Sequence, residues 1–281
     1  MYVAIDIGGT KTLVATLDDE ANITYKHRFE TPKDYDGLLA GFRDALSQLP
    51  HKEFKAGGVG VPGHIDYEKG ISINSPHVRW GNVPLRDDCA EIFGCPFVID
   101  NDANMAGLSE AMLHKDKRTV LYITVSTGIG TGFVRDQRID PALLKSEGGH
   151  MMLPYQGKLL EWEDFASGRA IYARLGKKAA DITDENDWKD IAHNLALGMF
   201  NHIALLQPDL IVIGGSVGTY FDRYEQYLVD ELKAYEMPVV PIPPIVQAQR
   251  PEEVVLFGCY DAARQQFGND NEPGINNAGA A

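Results

Sequence analysis

The stretch Asp6-Ile7-Gly8-Gly9-Thr10-Lys11 follows a short apolar run at residues 2–5. A buried strand with this ending is suited to receive a phosphate group, because glycine lets backbone N–H groups approach an oxyanion without an intervening Cβ. Asp6 offers a carboxylate that can hold hydrated Mg²⁺. Phosphate contacts are predicted for Gly8, Gly9, Thr10 and Lys11. The alternative for the same residues is an ordinary β-hairpin turn between strands at 2–7 and 12–17.

The composition is that of a globular protein whose main partners are neither nucleic acids nor membranes. The chain has 281 residues, 44% hydrophobic and 23% charged, with a net charge of −14 at pH 7. An acidic protein repels nucleic acid and anionic lipid. No apolar run approaches the ~20 residues of a membrane span, and no signal-peptide pattern is present. Three scattered cysteines, Cys89, Cys95 and Cys259, favour a reducing, cytoplasmic location.

The strand followed by a glycine turn occurs twice more along the chain. An apolar run at 120–125 ends at Ser126-Thr127-Gly128-Ile129-Gly130-Thr131-Gly132, and another at 210–213 ends at Gly214-Gly215. The first of these could also be a plain hairpin, and the two interpretations are compatible. In open α/β folds, ligands gather where strand ends meet such turns. Three turns therefore predict one nucleotide crevice in a mixed α/β fold of two halves.

Hydrophobic periodicity places helices between the strands. Helices are predicted at residues 35–49, 85–93, 102–113, 165–175, 188–206, 220–235 and 251–267. Further strands are predicted at 23–29, 56–61, 97–99 and 133–135, and the proline-rich segment 237–246 favours an edge strand with loops. The Gly- and Asn-rich tail at 268–281 is predicted to be disordered.

Asn101-Asp102 follows a predicted strand and opens a predicted helix. Asp102 could be the helix N-cap, which is the common role of such an Asp. Alternatively, it is a general base over a substrate hydroxyl. Phosphoryl transfer requires mainly positioning, charge neutralisation and one carboxylate that accepts the hydroxyl proton. Asn101 would then orient the same substrate.

Polar residues in two later segments are candidates for contacts with a polyhydroxylated substrate. Glu147-Gly148-Gly149-His150 combines a carboxylate and an imidazole beside two glycines, although single residues of this kind are often solvated. Glu163 could likewise be a solvated acid at a helix start. Asn74 and Trp80 lie in a predicted loop, where Trp80 could stack on a sugar or anchor the core.

Together these positions resemble the ROK family of sugar kinases and related repressors, within the actin-like ATPase superfamily. The motifs are Asp6–Lys11, Val59-Gly60-Val61-Pro62-Gly63, Asn101-Asp102-Ala103-Asn104, Thr127–Gly132, Glu147–His150 and the segment 208–215. Six matches in the family's order, over residues 1 to 267, are far more specific than any single glycine pattern.

The resemblance implies two actin-like (ribonuclease H-like) lobes with a nucleotide and sugar cleft between them. The lobes would comprise residues 1–117 and 118–251, with the helix at about 252–267 returning to the first. Asp102 would be the base. Sugar contacts are implied for Asn74, Asn101, Asp102, Glu147, His150 and Glu163. Phosphate and Mg²⁺ contacts are implied for Asp6, Gly8, Gly9, Thr10, Lys11, Thr127 and Gly128, and adenosine contacts for Gly214 and Gly215. A homodimer is implied as well.

The segment between His150 and Glu163 departs from the family. Most members place a cysteine-rich zinc loop there, with the histidine as one ligand, but residues 151–162 contain no cysteine. A structural zinc site needs about four N or S ligands. We therefore expect no zinc, with packing by Met152, Leu153, Leu159, Leu160 and Trp162 in its place.

Three classes of function were weighed. An ATP- and Mg²⁺-dependent kinase of a free hexose, most simply glucose at its 6-hydroxyl, is favoured. N-acetylmannosamine, N-acetylglucosamine and fructose are alternative acceptors, and no lysine-rich groove supports a polyphosphate donor. A sugar-sensing repressor is disfavoured because the phosphate loop begins at Asp6, which leaves no room for a preceding helix-turn-helix. The Asn101-Asp102 pair argues against a catalytically silent structural protein.

Overall fold

The first half of the chain forms one five-stranded sheet with its helices. The computed structural model describes residues 1–74, 78, 80–250 and 252–268. In chain order the elements are β1 (Tyr2–Ile7), β2 (Lys11–Leu17), β3 (Ile23–Glu30), α1 (Tyr35–Gln48), β4 (Ala56–Val61), β5 (His64–Asp66), β6 (Ile71–Asn74), α2 (Leu85–Phe93), β7 (Phe97–Asn101) and α3 (Asp102–Ala111). β5 and β6 pair separately as a small hairpin.

The second half repeats this plan and adds helices. Its elements are β8 (Thr119–Val125), β9 (Ile129–Arg135), β10 (Arg138–Ile139), β11 (Met152–Tyr155), β12 (Lys158–Glu161), α4 (Trp162–Ala166), α5 (Gly168–Leu175), α6 (Glu185–Leu206), β13 (Leu210–Gly214), α7 (Gly215–Gly218), α8 (Glu225–Ala234), β14 (Ile245–Gln247) and α9 (Val254–Phe267). Single 3-10 turns cover Gly148–His150, Ala179–Asp181 and Phe221–Arg223.

Both sheets have the same strand order and directions. The first runs β3-β2-β1-β4-β7 and the second β10-β9-β8-β13-β14. In each, an antiparallel meander adjoins parallel strands, for which β1 pairs with β4 and β8 pairs with β13. The first strand of each sheet ends at a glycine-containing turn. The fold therefore presents two equivalent turns, at residues 8–10 and 126–128.

Helices α3 and α9 lie between the two sheets. Their apolar residues form one core with residues of β1, β2, β8 and β13, while two further cores cover the outer faces of the sheets. The packing is close enough to require glycine. A Cβ on Gly58 would overlap the backbone of Cys259, and one on Gly258 would overlap the carbonyl of Met105. The contact between Gly258 and Met105 fixes the position of α3 against α9, and the first residue of α3 is Asp102.

A buried carboxylate joins α3 to the segment before α9. Glu110 is fully buried and accepts hydrogen bonds from the backbone N–H groups of Gln249, at 3.1 Å, and Arg250, at 3.0 Å. Arg250 also donates to the hydroxyl of Ser109 at 3.3 Å. Burial of a carboxylate is tolerated when N–H donors compensate it. These bonds hold the connection between the halves at the C-terminal end of α3.

The predicted mixed α/β pattern is confirmed, with shifts at several element ends. The helix at 85–93 and the strand at 56–61 have the predicted bounds. Residues 129–132, predicted as a glycine loop, belong to β9, so the second turn is short. The helix predicted at 165–175 is interrupted at Ser167, whose hydroxyl caps α5. Residues 220–235 begin with a 3-10 turn, and helix α8 starts only at Glu225.

The lobe division stays a prediction. α9 packs on β1 and β4 of the first sheet and also on α3. It ends at Phe267 with Gly268 as its C-cap, and the rest of the predicted disordered tail lies outside the described residues. Within the described residues, the helices are too short or too polar to cross a bilayer.

Candidate active site

The first glycine turn is the tip of a β-hairpin. The N–H of Gly8 donates to the carbonyl of Lys11 at 2.9 Å, and the hydroxyl of Thr31 donates to the carbonyl of Gly8 at 2.7 Å. The hairpin interpretation is thus confirmed. Gly9, Thr10 and Lys11 are exposed at the tip, where a phosphate can reach them.

Asp6 lies on β1, two residues before this turn, and is close enough to Asp102 for the two charges to interact. Burial, and to a smaller extent the negative charge of Asp102, raise the pKa of Asp6 to about 7. Two neighbouring carboxylates repel each other, and a divalent cation offsets both charges. The predicted role of Asp6 at hydrated Mg²⁺ therefore fits the chemistry of the residues present.

The second turn meets Gly214-Gly215. The hydroxyls of Ser126 and Ser216 lie 3.2 Å apart, and the N–H of Ser216 points to the Ser126 hydroxyl at 3.4 Å. Gly215 has φ of +81°, which favours glycine. A Cβ on Gly214 would overlap the hydroxyl of Tyr122, so this glycine has a packing role in addition to any contact with adenosine.

Asn101, rather than Asp102, is the N-cap of α3. Oδ1 of Asn101 accepts the N–H of Ala103 at 2.8 Å, and its amide donates to the carbonyl of Gly63 at 3.3 Å. Oδ1 of Asp102 accepts the same N–H at 2.9 Å. The positive end of the helix dipole stabilises a carboxylate at this position. Asn101 therefore takes the capping role, and Asp102 is the first residue of the helix.

Glu147 and His150 lie near Asp102. Partial burial raises the pKa of Glu147, and the charges of Asp102 and Glu163 raise it further, while His150 and His64 oppose the shift. The pKa of His150 is raised, chiefly by its hydrogen bond to Glu161. The structure therefore brings together Asp6, Asp102, Glu147, His150 and Glu163, which are far apart in the sequence.

Glu163 is held by two donors. Oε2 accepts the N–H of Ile129 at 3.1 Å, and Oε1 accepts from Arg169 at 3.2 Å. The first bond attaches this carboxylate, predicted to bind sugar, to the turn that is predicted to bind phosphate. The predicted sugar and phosphate contacts thus lie side by side.

Asn74 and Trp80 have different environments. Asn74 ends strand β6 instead of lying in a loop, is exposed, and pairs in register with His64. His64 is close enough to Glu147 for their charges to interact. Its strand partner Asn74 is therefore near the predicted sugar residues. Trp80 is 7% exposed and packs on Tyr35, with ring centroids 5.4 Å apart. Trp80 belongs to the apolar core on the outer face of the first sheet.

Sequence reasoning missed several residues around this site. His64 faces Glu147, Glu161 contacts His150, and Arg169 holds Glu163. Tyr67 donates towards Asp100 at 3.1 Å and towards the carbonyl of Leu144 at 3.2 Å. The Asp-Asn-Asp run at 100–102 was a signal for Asp100, but the other contacts depend on tertiary placement.

The segment between His150 and Glu163, for which no zinc is expected, forms the hairpin of β11 and β12. Leu153, Leu160 and Trp162 pack against the core as predicted. Met152 and Leu159 are exposed by 49% and 60%, so their predicted packing is wrong. The side chains alternate across the hairpin, and these two point away from the core.

One group of possible metal ligands occurs here within the described residues. His150, Glu161 and Glu163 offer atoms within 4.8 Å of one another. This set has no thiolate, and both oxygens of Glu163 already accept N–H bonds. A cavity of about 210 Å³ lies elsewhere, beside the turn between β2 and β3, and is lined by Lys115, Asp261, Arg264 and other residues of that region.

Comparison with known proteins identifies the family. The model of the ROK family matches residues 2–266. The chain belongs to the ROK family. A glucokinase of Streptomyces coelicolor is 25% identical, covering 94% of this chain and 98% of its own length. An N-acetyl-D-glucosamine kinase of Haemophilus influenzae is 30% identical, with 89% and 94% covered.

The fold is likewise that of the ROK proteins. The crystal structure of a Streptomyces griseus glucokinase in complex with glucose and AMPPNP has a TM-score of 0.79, at 22% identity, covering 94% of this chain and 99% of that one. The predicted fold class, two actin-like lobes, is confirmed. The predicted enzyme class, an ATP-dependent sugar kinase, is confirmed by the family and these relatives.

Proposed function

We propose that this protein transfers the γ-phosphoryl group of ATP to a hydroxyl of a free hexose, most simply the 6-hydroxyl of glucose, with Asp102 as general base. The observation that carries the proposal is the position of Asp102. Its charge raises the pKa of Asp6, the predicted Mg²⁺ residue, and of Glu147, a predicted sugar residue. Asp102 is therefore close both to the predicted Mg²⁺ residue and to a predicted sugar residue.

Asp102 would accept the proton of the acceptor hydroxyl as the phosphoryl group moves in line. Mg²⁺, held by Asp6 through water, would neutralise charge on the phosphates. The N–H groups and side chains of the two turns, at Gly8–Lys11 and at Thr127 and Gly128, would position the same phosphates. Gly214 and Gly215 would flank the adenosine.

The remaining polar groups would hold the sugar. Glu147 and Glu163 are carboxylates that would accept hydrogen bonds from hydroxyl groups, and His150 adds an imidazole. Asn101 and Asn74 would complete the ring of contacts. The bond between Glu163 and Ile129 supports this arrangement, since it joins the predicted sugar carboxylate to the turn predicted to bind phosphate.

Replacing Asp102 by Asn tests the general base. We expect kcat to fall by about 10²- to 10⁴-fold, because the amide cannot accept the proton, while sugar affinity measured by calorimetry changes little. Asp164→Asn, which alters an exposed acid next to Glu163, serves as the matched control and should retain wild-type turnover. Near-normal turnover in Asp102→Asn would refute the assignment.

The identity of the hexose is a separate question with its own measurement. The glucokinase relative supports glucose, and the N-acetyl-D-glucosamine kinase relative, with its higher identity, supports an N-acetylhexosamine as a second candidate. Residues 132–148 and the described part of residues 63–83 would shape the space beside C2 of the sugar. Coupled assays with glucose, N-acetylglucosamine, N-acetylmannosamine and fructose, each with ATP and with polyphosphate, would rank the acceptors and donors.

The expected homodimer and the expected cytoplasmic location stay predictions. Size-exclusion chromatography with light scattering would determine the oligomeric state.

A further inference from the structure

The two ends of the hairpin of β11 and β12 are joined to each other at its base, where the hairpin leaves the rest of the protein. Met152 pairs with Glu161, and the N–H of Trp162 donates to the carbonyl of Met151 at 2.9 Å. Trp162 is fully buried, and its indole N–H donates to the carbonyl of Asn194 at 3.2 Å. The base of the hairpin is therefore anchored in the core. This anchor determines where Glu161 and His150 lie.

At that base Glu161 meets His150. Nδ1 of His150 lies 2.8 Å from Oε2 of Glu161, and the side chains are 53% and 38% exposed. An exposed ion pair contributes little to stability. Its physical effect is on the imidazole itself: a carboxylate that accepts from Nδ1 fixes the ring orientation and the tautomer, and it favours the protonated ring.

The surroundings of His150 are acidic on every side. Glu161, Glu163 and Glu147 all raise its pKa, and partial burial opposes them. Glu163 is already held by Ile129 and Arg169, whereas Glu161 provides the direct hydrogen bond to the ring. With Nδ1 engaged, Nε2 is the atom that remains for a ligand. A protonated ring would offer Nε2–H as a donor among carboxylates that can only accept.

We propose that Glu161 is a positioning residue for the sugar site: through its hydrogen bond to Nδ1, it orients His150 so that Nε2 hydrogen-bonds to a hydroxyl group of the hexose. This inference rests on the proposed hexose kinase function. A hexose ring presents hydroxyls that both donate and accept. Glu147 and Glu163 would accept hydrogen bonds from these hydroxyls, and His150 would add a hydrogen bond through Nε2.

The test compares Glu161→Gln with wild type in two ways. The first is an NMR titration of the His150 ring, identified by the signal that disappears in His150→Asn; we expect its pKa to fall in Glu161→Gln. The second is kinetics, where we expect KM for the hexose to rise about five- to tenfold with kcat within about twofold, as for lost ground-state binding. In a His150→Asn background, Glu161→Gln should have no further effect on KM.

Lys158→Gln is the matched control, because it removes one exposed charge from the same strand. It should leave the His150 titration and KM unchanged, and both variants should melt within about 2 °C of wild type. An unchanged KM in Glu161→Gln, whether or not the His150 pKa falls, would overturn the inference. Failure of the proposed function would appear instead in the wild type, as absence of phosphorylation and of calorimetric binding across the hexoses.

Discussion

Glu163 occupies the space in front of Gly128. A Cβ built on Gly128 would lie 2.5 Å from Oε2 of Glu163, the same oxygen that accepts the N–H of Ile129. The turn predicted to bind phosphate and the carboxylate predicted to bind sugar thus meet at one contact. A side chain at position 128 would therefore displace the carboxylate of Glu163 first, because Oε2 is the atom nearest to the added Cβ.

Gly128→Ala should therefore impair sugar binding more than stability. The atom in the way is the end of a flexible side chain, so Glu163 can rotate aside at little cost to folding. Its bond to Ile129 is then lost. We expect KM for the hexose to rise about tenfold or more, equivalent to about 1.4 kcal/mol, with the melting temperature nearly unchanged.

A contrasting variant, Gly258→Ala, checks this reasoning. There the methyl group would meet the backbone carbonyl of Met105, which cannot rotate aside. We expect a large loss of stability, measured by calorimetry or chemical denaturation. If Gly128→Ala were destabilised as much as Gly258→Ala, the flexible-contact explanation would be wrong.

Tyr67→Phe should loosen the segment that carries Glu147. The Tyr67 hydroxyl bridges Asp100 and the carbonyl of Leu144, three residues before Glu147. The amide of Asn104 donates to the same two acceptors, at 2.8 and 3.0 Å, and would remain. We expect faster hydrogen exchange at residues 144–147 and a several-fold higher KM for the hexose, with about 1 kcal/mol less stability.

Tyr25→Phe is the control for that loss of a hydroxyl. Tyr25 lies on β3, and its hydroxyl contacts Gln48 near the surface at 3.4 Å. This variant should behave as wild type in exchange and kinetics. Unchanged exchange at residues 144–147 in Tyr67→Phe would show that Asn104 alone holds the segment.

Asp261→Asn should change the pH dependence of stability. Burial raises the pKa of Asp261 to about 7, although Arg250, Arg264 and Lys115 oppose the shift. Between about pH 4 and pH 7 the folded protein then binds a proton that the unfolded chain releases, so stability falls as the pH rises through this window. Asparagine lacks this proton, and we expect a melting temperature a few degrees above wild type at pH 8 and close to it at pH 5.

The comparison is made by calorimetry at both pH values. Asp222→Asn, which changes an exposed acid, should shift the two melting temperatures equally or not at all. An equal effect of Asp261→Asn at pH 5 and pH 8 would contradict a raised pKa at Asp261.

Elemental analysis should find far less than one zinc ion per chain. The stretch at residues 151–162 contains no cysteine, and His150 is bonded to Glu161. His150, Glu161 and Glu163 supply three atoms without a thiolate, whereas structural zinc sites have about four ligands rich in sulfur. Stoichiometric zinc in protein purified without added metal would refute this prediction.

The parts of the fold that could be predicted from sequence were local. Buried strands such as β4 and β13 are apolar runs bounded by turn signals, Pro62-Gly63 after β4 and Gly214-Gly215 at the end of β13, and the C-cap of α2 is Gly94, which has φ of +66°. Periodicity and turn chemistry are sufficient for such elements. The short strands β11 and β12 escaped, because their alternation is brief and the exposed positions hold Met152 and Leu159 instead of polar residues.

The candidate site could be predicted only in its first layer. Asp6, Asp102 and Glu147 belong to motifs that are visible in the chain. Their supports are not visible. Arg169 reaches Glu163 only because the chain turns between α4 and α5, and Tyr67 reaches Leu144 only after the halves have packed. Asp102 illustrates the difference, because only the structure shows that Asn101 takes the capping role.

The repeated strand order gives the molecule an approximate internal twofold symmetry, and chemistry requires that this symmetry be broken. The two glycine turns, both predicted to contact phosphate, occupy equivalent places in the two sheets. In contrast, the hairpin of β11 and β12 and helices α4 and α5 are inserted in the second half alone, within the described parts of the chain, whereas α6 takes the place that α1 has in the first half. Under the proposed function, selection or engineering of a new acceptor sugar has a natural target in these insertions, which can change while the shared frame is kept.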